Sequence, residues 1–273
     1  MSHFVIPNHT VVGTNVLGEV APLLKKMGNK AFIVTGRHVA VSDMMKQLTA
    51  LLDENGIDCV IFDGITGEPT DTMIENGVEM LKSSGCDFII GIGGGSPLDS
   101  AKAIAAMAVN EGSIADYNGK EITGEILPLA AIPTTAGTGS EATKFTVITD
   151  SEKGIKMLLK GDVLVPKLAI VDNSFTVGAP KSVTSATGLD ALTHAVEAYT
   201  SRKAFSMTDT LAVSAVKRIM KYLPIAYKEP DNSLAREQMS IAALEAGICI
   251  NNSSVTIVHG MSRPIGALFH VPH

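Results

Sequence analysis

Phe88-Ile89-Ile90-Gly91-Ile92-Gly93-Gly94-Gly95-Ser96-Pro97-Leu98-Asp99-Ser100-Ala101-Lys102 reads as a buried strand, a glycine turn and the first turns of a helix in one run. The residues before the glycine triplet are apolar without polar alternation, which suits a strand covered on both faces. Gly93, Gly94 and Gly95 let the backbone approach a ligand closely and adopt positive φ. Ser96 is expected as the N-cap, Pro97 as the first helical residue and Asp99 in the first turn. The free amides of that helix start make an anion site suited to pyrophosphate. A ligand-free turn is the plainer reading, but each glycine costs roughly 1 kcal/mol in ordered structure, so a mere turn would seldom keep all three. The run is not the usual dinucleotide fingerprint, because Ser96 stands where its last glycine belongs. No Gly-Lys-Ser/Thr follows, so it is not a Walker loop either.

Outward from this run, strands are expected at 31–35, 59–62, 88–92 and 127–132, separated by helices at 42–55, 71–84 and 96–109. Continuous apolar strands alternating with helices imply a parallel sheet with both faces covered. A polar turn at 151–154 between apolar segments at 145–150 and 155–158 predicts a hairpin, and a last strand falls at 168–172. From Pro180 the apolar period becomes 3.6, with helices expected at 187–200, 206–227, 233–249 and 253–263. The expected fold is an α/β dinucleotide-binding domain with a parallel sheet at 1–178, followed by an all-helical domain at 179–273.

A chain of 273 residues, 45% hydrophobic and 18% charged, can bury a sizeable core in one large or two moderate domains. The formal net charge of −6 argues against nucleic acid as a partner, since a phosphate backbone demands a basic surface. Cys59, Cys86 and Cys249 form no CxxC pair, which supports neither a thiolate metal site nor a disulfide frame. The N-terminus lacks a secretory pattern, and the apolar run at 103–109 is too short for a bilayer. A soluble cytoplasmic protein with no membrane partner is expected.

Two further segments carry chemistry. Pro133-Thr134-Thr135-Ala136-Gly137-Thr138-Gly139-Ser140-Glu141 follows a buried strand, where open α/β sheets bind ligands, and its hydroxyls suit ribose or phosphate; a generic polar loop is the alternative. Asp190 and His194 are spaced i,i+4 and share one helix face, and His259 and His273 could complete a cage of three imidazoles and one carboxylate. That donor set suits zinc or ferrous iron rather than calcium or magnesium. Two structural alternatives stand beside it: Thr187 with Asp190 as a variant capping box, and His194 as a satisfied core histidine.

Taken together, the glycine turn from Gly93 to Lys102, the loop from Pro133 to Glu141, the segment from Thr187 to His194 and that from His259 to His273 resemble the iron-dependent (group III) alcohol dehydrogenase family. The resemblance implies a dinucleotide-binding domain, a helical domain and a divalent metal between them, bound by Asp190, His194, His259 and His273. It implies that Gly93, Gly94, Gly95 and Ser96 hold the pyrophosphate, with Asp99 supporting the turn. Thr134, Thr135 and Thr138 then contact adenine and ribose, Lys156 reaches the nicotinamide ribose, and Phe145 and Ile250 line the substrate pocket. The implied activity is hydride transfer between a small primary alcohol, or its aldehyde, and NAD or NADP, in a homodimer. Rival readings are a zinc-dependent polyol dehydrogenase, a dehydroquinate-synthase-like enzyme of the same superfamily, or an inactive nucleotide-binding fragment.

Three departures from the family pattern matter. Arg263 replaces a histidine that the resemblance assigns to proton relay, leaving His270, water or the cofactor ribose for proton release. Gly36-Arg37 ends the first strand without the acid that receives the 2′-hydroxyl of NAD, which favours NADP. Similarly, Glu68 stands where an asparagine is common near the pyrophosphate. Finally, the chain stops at His273, where the resemblance implies further helices, so a fragment with exposed helical apolar faces and a partly ordered site is expected.

Overall fold

The computed structural model describes residues 3–269, so His270 and His273 lie outside the described residues. Six strands form one parallel sheet: β1 (His9–Gly13), β2 (Lys30–Val34), β3 (Asp58–Phe62), β4 (Phe88–Gly93), β5 (Leu129–Pro133) and β8 (Leu168–Asp172). Their order is β1-β8-β5-β4-β2-β3, and every pairing is parallel. The short helices α1 (Ala21–Lys25) and α2 (Arg37–Ala40), with α3 (Asp43–Glu54), α4 (Asp71–Ser84) and α5 (Gly95–Met107), connect them. The strand alternation divides the core between the two faces. Phe32, Val34 and Ile89 meet Ile74, Leu81 and Ile104 on one side, while Ala31, Ile33 and Ile90 meet Leu24, Leu48 and Leu52 on the other.

β6 (Phe145–Asp150) and β7 (Ile155–Lys160) form the expected antiparallel hairpin. After β8 the chain is helical: α6 (Lys181–Thr200), α7 (Ser206–Lys228), α8 (Ser233–Asn252) and α9 (Ile257–Phe269). Small side chains let these helices approach closely, with Ala191, Ala195, Ala215, Ala242 and Ala246 in their shared core. Among the described residues no single helix is long and apolar enough to cross a membrane. α9 exposes Ile257, Val258, Met261, Ile265, Leu268 and Phe269.

Several expected boundaries are corrected. α6 begins at Lys181 and not near 187, so Thr187 and Asp190 lie inside the helix, and the Thr187 hydroxyl donates to the Val183 carbonyl. The capping-box alternative for Asp190 therefore fails. α5 is capped by Gly94, not Ser96, and starts at Gly95, which places Pro97 third in the helix, where no intrahelical N–H is needed. Only Gly93 of the triplet has positive φ (147°), and a side chain there would collide with the Pro97 ring. Asp99 lies beyond the first turn. α9 starts at Ile257, after a break, and not at 253. β1 is an edge strand with exposed positions and carries little apolar signal.

Candidate active site

The carboxyl ends of the adjacent strands β4 and β5 carry the glycine turn and the threonine-rich loop, and Thr134 N–H donates to the Gly93 carbonyl at 2.9 Å, joining the two. A cleft of about 400 Å³ opens beside them. The N-terminus of α5 forms one wall through Gly95, Ser96 and Asp99. The hairpin forms another. Phe145, Val147 and Thr149 share one face of β6, with Leu158 opposite Val147 and Lys156 opposite Thr149, and all five line the cleft. α6 supplies Asp190 and His194, α8 supplies Ile250, and α9 supplies His259.

Asp99 fastens the first two walls together. Its carboxylate accepts from Ser140 Oγ at 2.5 Å and from Val147 N–H at 2.8 Å, and its carbonyl accepts from Thr146 Oγ1. Beneath them Lys102 is fully buried and uses all three ammonium donors, on the Thr143 carbonyl (2.7 Å), Thr143 Oγ1 (2.9 Å) and the Phe145 carbonyl (2.8 Å). Burial pulls Lys102 down to about 8, against the attraction of Asp99 and Glu141.

Burial pushes the Glu141 carboxyl up to about 7, opposed by its own backbone amide and by Lys102. A raised acid contributes stability that is fully present below its ordinary value of 4.5 and lost as pH rises towards 7. Relative to Glu141→Gln, the wild type should therefore lose on the order of 3 kcal/mol of stability across that window. Urea unfolding of both proteins at pH 5 and pH 8 measures the difference, and parallel pH profiles would contradict the assignment.

At the helical end of the cleft, one ligand atom each from Asp190, His194 and His259 lies within 4.8 Å of the others. Both imidazoles turn Nε2 towards the same carboxylate oxygen, Asp190 Oδ1, at 3.7 Å from His194 and 3.4 Å from His259. Their rings stack at 4.5 Å with 15° between planes, and both residues are buried. Tetrahedral zinc-type bonds of about 2.1 Å would set donors about 3.4 Å apart, so these residues fit a divalent metal. Burial works against a positive His259, but hydrogen bonds to Asp190 and Glu197 outweigh it and raise the imidazole above its ordinary value. The local field therefore favours a cation.

Glu197 escaped the sequence reading. It follows Asp190 and His194 at i+7 and i+3, one continuous stripe of α6, and that period was the available signal. Its Oε2 lies 2.5 Å from His259 Nδ1, and its Oε1 accepts from Thr256 Oγ1 and Val258 N–H, both at 2.7 Å. Although burial works the other way, these hydrogen bonds hold the Glu197 carboxyl down at about 2.

Other expected residues are placed as follows. Gly95, Ser96, Asp99, Thr138, Lys156, Phe145 and Ile250 line the cleft with Asp190, His194 and His259. Gly93 and Gly94 form the turn beneath, and Thr135 faces a smaller neighbouring cavity together with Thr187. Gly36 caps α2 and Arg37 is exposed; neither borders the cleft. Lys156 is ion-paired with Glu68, itself a cleft residue. Arg263 falls on α9, one turn beyond His259.

Comparison with known proteins shows the family. The family model for iron-containing alcohol dehydrogenase matches residues 7–173, and the C-terminal model of the Fe-containing alcohol dehydrogenase family matches residues 184–273. The chain belongs to the iron-containing alcohol dehydrogenase family. It is 40% identical over 275 residues to the NAD-dependent methanol dehydrogenase of Bacillus methanolicus, covering 100% of this chain and 72% of that protein. The solved structure of a 1,3-propanediol oxidoreductase superposes with a TM-score of 0.97 at 37% identity, over 100% of this chain and 72% of that one. Sulfoacetaldehyde reductase from Bifidobacterium kashiwanohense, solved in complex with NAD+, gives 0.94 at 33% identity over 100% of this chain and 73% of that one.

Proposed function

We propose that this family member catalyses reversible hydride transfer between a small primary alcohol and its aldehyde, using NAD or NADP. Asp190, His194 and His259 hold a divalent metal, ferrous iron by family and zinc by donor chemistry, with His273 as the fourth ligand. The observation that carries this reading is the convergence of the three donors in the cleft that also contains the α5 N-terminus. A metal held there would supply Lewis acidity to the alcohol hydroxyl, and a bound nicotinamide dinucleotide would supply the hydride chemistry.

The chain's own residues do the rest. Backbone amides at Gly94, Gly95 and Ser96 receive the pyrophosphate, with Gly93 shaping the turn and Asp99 bracing it. Thr134, Thr135 and Thr138 serve the adenosine half, and Lys156 the nicotinamide ribose. Phe145, Val147, Leu158, Ile250 and Val255 give the cleft apolar walls that exclude water and suit a short or medium aliphatic chain. His270 is proposed to release the proton, since Arg263 occupies the other relay position. A homodimer in the cytoplasm is proposed from the family resemblance; light scattering on purified protein tests the dimer.

Alcohol-dependent formation of reduced nicotinamide, followed by fluorescence before and after chelation, tests the activity. Turnover should vanish on chelation and return with ferrous iron or zinc; turnover undiminished in metal-free protein would refute the reading. Gly36 and Arg37 support acceptance of a 2′-phosphate. The ratio of kcat/KM for NADP over NAD should exceed one and fall roughly tenfold in Arg37→Ala. Glu68 presents a carboxylate to the cleft and occupies Lys156. Glu68→Gln should therefore tighten dinucleotide binding about threefold to tenfold in a fluorescence titration, an effect that shrinks at high salt.

A further inference from the structure

We infer that Glu197 is the positioning residue that fixes which nitrogen of His259 faces the metal. The inference rests on the metal site proposed above and adds a residue to it. The two carboxylate oxygens of Glu197 have separate tasks. Oε1 accepts from Thr256 Oγ1 and from Val258 N–H, in the first turn of α9, so a negative charge sits at that helix start. Oε2 lies 2.5 Å from Nδ1 of His259, the next residue along, and an ionised carboxylate can only accept there, so Nδ1 donates. The imidazole is thereby held with Nδ1 protonated and Nε2 turned towards Asp190 and stacked beside His194. A neutral imidazole has one donor and one acceptor nitrogen, so fixing the proton on Nδ1 leaves the Nε2 lone pair for a cation. Glu197 is only 3% exposed, so water does not substitute for it.

Glu197→Gln separates this role from simple support of α9. The amide oxygen can still accept from Thr256 and Val258. The opposite orientation would turn an NH2 group onto the Val258 N–H, which cannot accept, so the amide nitrogen must face His259 Nδ1. That nitrogen is a donor, and it drives the imidazole proton to Nε2, where it blocks the metal.

The test uses the full chain stripped of metal and titrated with Co2+ or Zn2+ against a competing chelator. Wild type should bind one ion per chain, Glu197→Gln should bind it about 10- to 100-fold more weakly, and Thr256→Val should stay within about threefold of wild type. The d–d spectrum of bound Co2+ should change in Glu197→Gln alone. If Glu197→Gln binds within threefold of wild type while His259→Ala loses the ion, the inference is overturned and the metal site stands. If wild type binds no ion through His194 and His259, both readings fall together. Ring-nitrogen NMR of metal-free wild type at alkaline pH gives a check that needs no variant. His259 should carry its proton on Nδ1; a proton on Nε2 overturns the inference.

Discussion

Alanine at His194 is expected to lower kcat/KM for alcohol oxidation by at least about a thousandfold, because a Lewis acid contributes several kcal/mol and each 1.4 kcal/mol is a factor of ten. Dinucleotide affinity should stay within about threefold of wild type, since His194 and the α5 amides sit on different elements. His194 projects from α6, whereas the amides proposed to receive the pyrophosphate belong to the start of α5 on a separate wall of the cleft. Loss of one imidazole removes one of the four proposed donors, leaving Asp190, His259 and His273 to hold the ion more weakly. Steady-state rates with fluorescence-detected cofactor binding measure both quantities. A rate within tenfold of wild type would remove the metal from the mechanism, and a parallel collapse of cofactor binding would indicate general misfolding.

The second large effect is structural. Lys102→Met keeps the unbranched apolar stem, one atom shorter, and removes the ammonium. Three buried oxygens, two carbonyls and one hydroxyl, then lose their donor, and Asp99 and Glu141 lose a neighbouring positive charge. Stranded buried acceptors and uncompensated charge together cost about 3–5 kcal/mol. For a chain of this size that lowers Tm by roughly 10 °C. Because Thr143 and Phe145 border the cleft, KM for the alcohol should rise in the fraction that remains folded. Thermal melts and steady-state kinetics check both, and a Tm within 2 °C of wild type would show that the three oxygens find other donors.

The contrast between these sites explains what the sequence could disclose. The glycine turn, the hairpin and the i,i+4 pair Asp190–His194 are local: their meaning lies in residues a few positions apart, and the structure brings their side chains to one cleft. Lys102 ended the glycine-turn segment, but its structural role was not legible there, because its acceptors lie 41 and 43 residues later in the chain. Glu197 was hidden in the same way, since Thr256 and His259 are 59 and 62 residues away, although its place on the Asp190 stripe was readable. The start of α6 was misjudged because its first turns carry small polar residues, and because Leu189, Val196 and Tyr199 are exposed while Thr184 and Gly188 are buried. Apolar periodicity marks a helix poorly when it packs on more than one side.

Anomalous diffraction at the iron edge, from crystals of this chain grown anaerobically with ferrous iron, probes the central claim most directly. The account predicts one peak roughly 2.0–2.2 Å from an Asp190 carboxylate oxygen, His194 Nε2 and His259 Nε2. A map with these three side chains turned away from one another and no ion among them would contradict it.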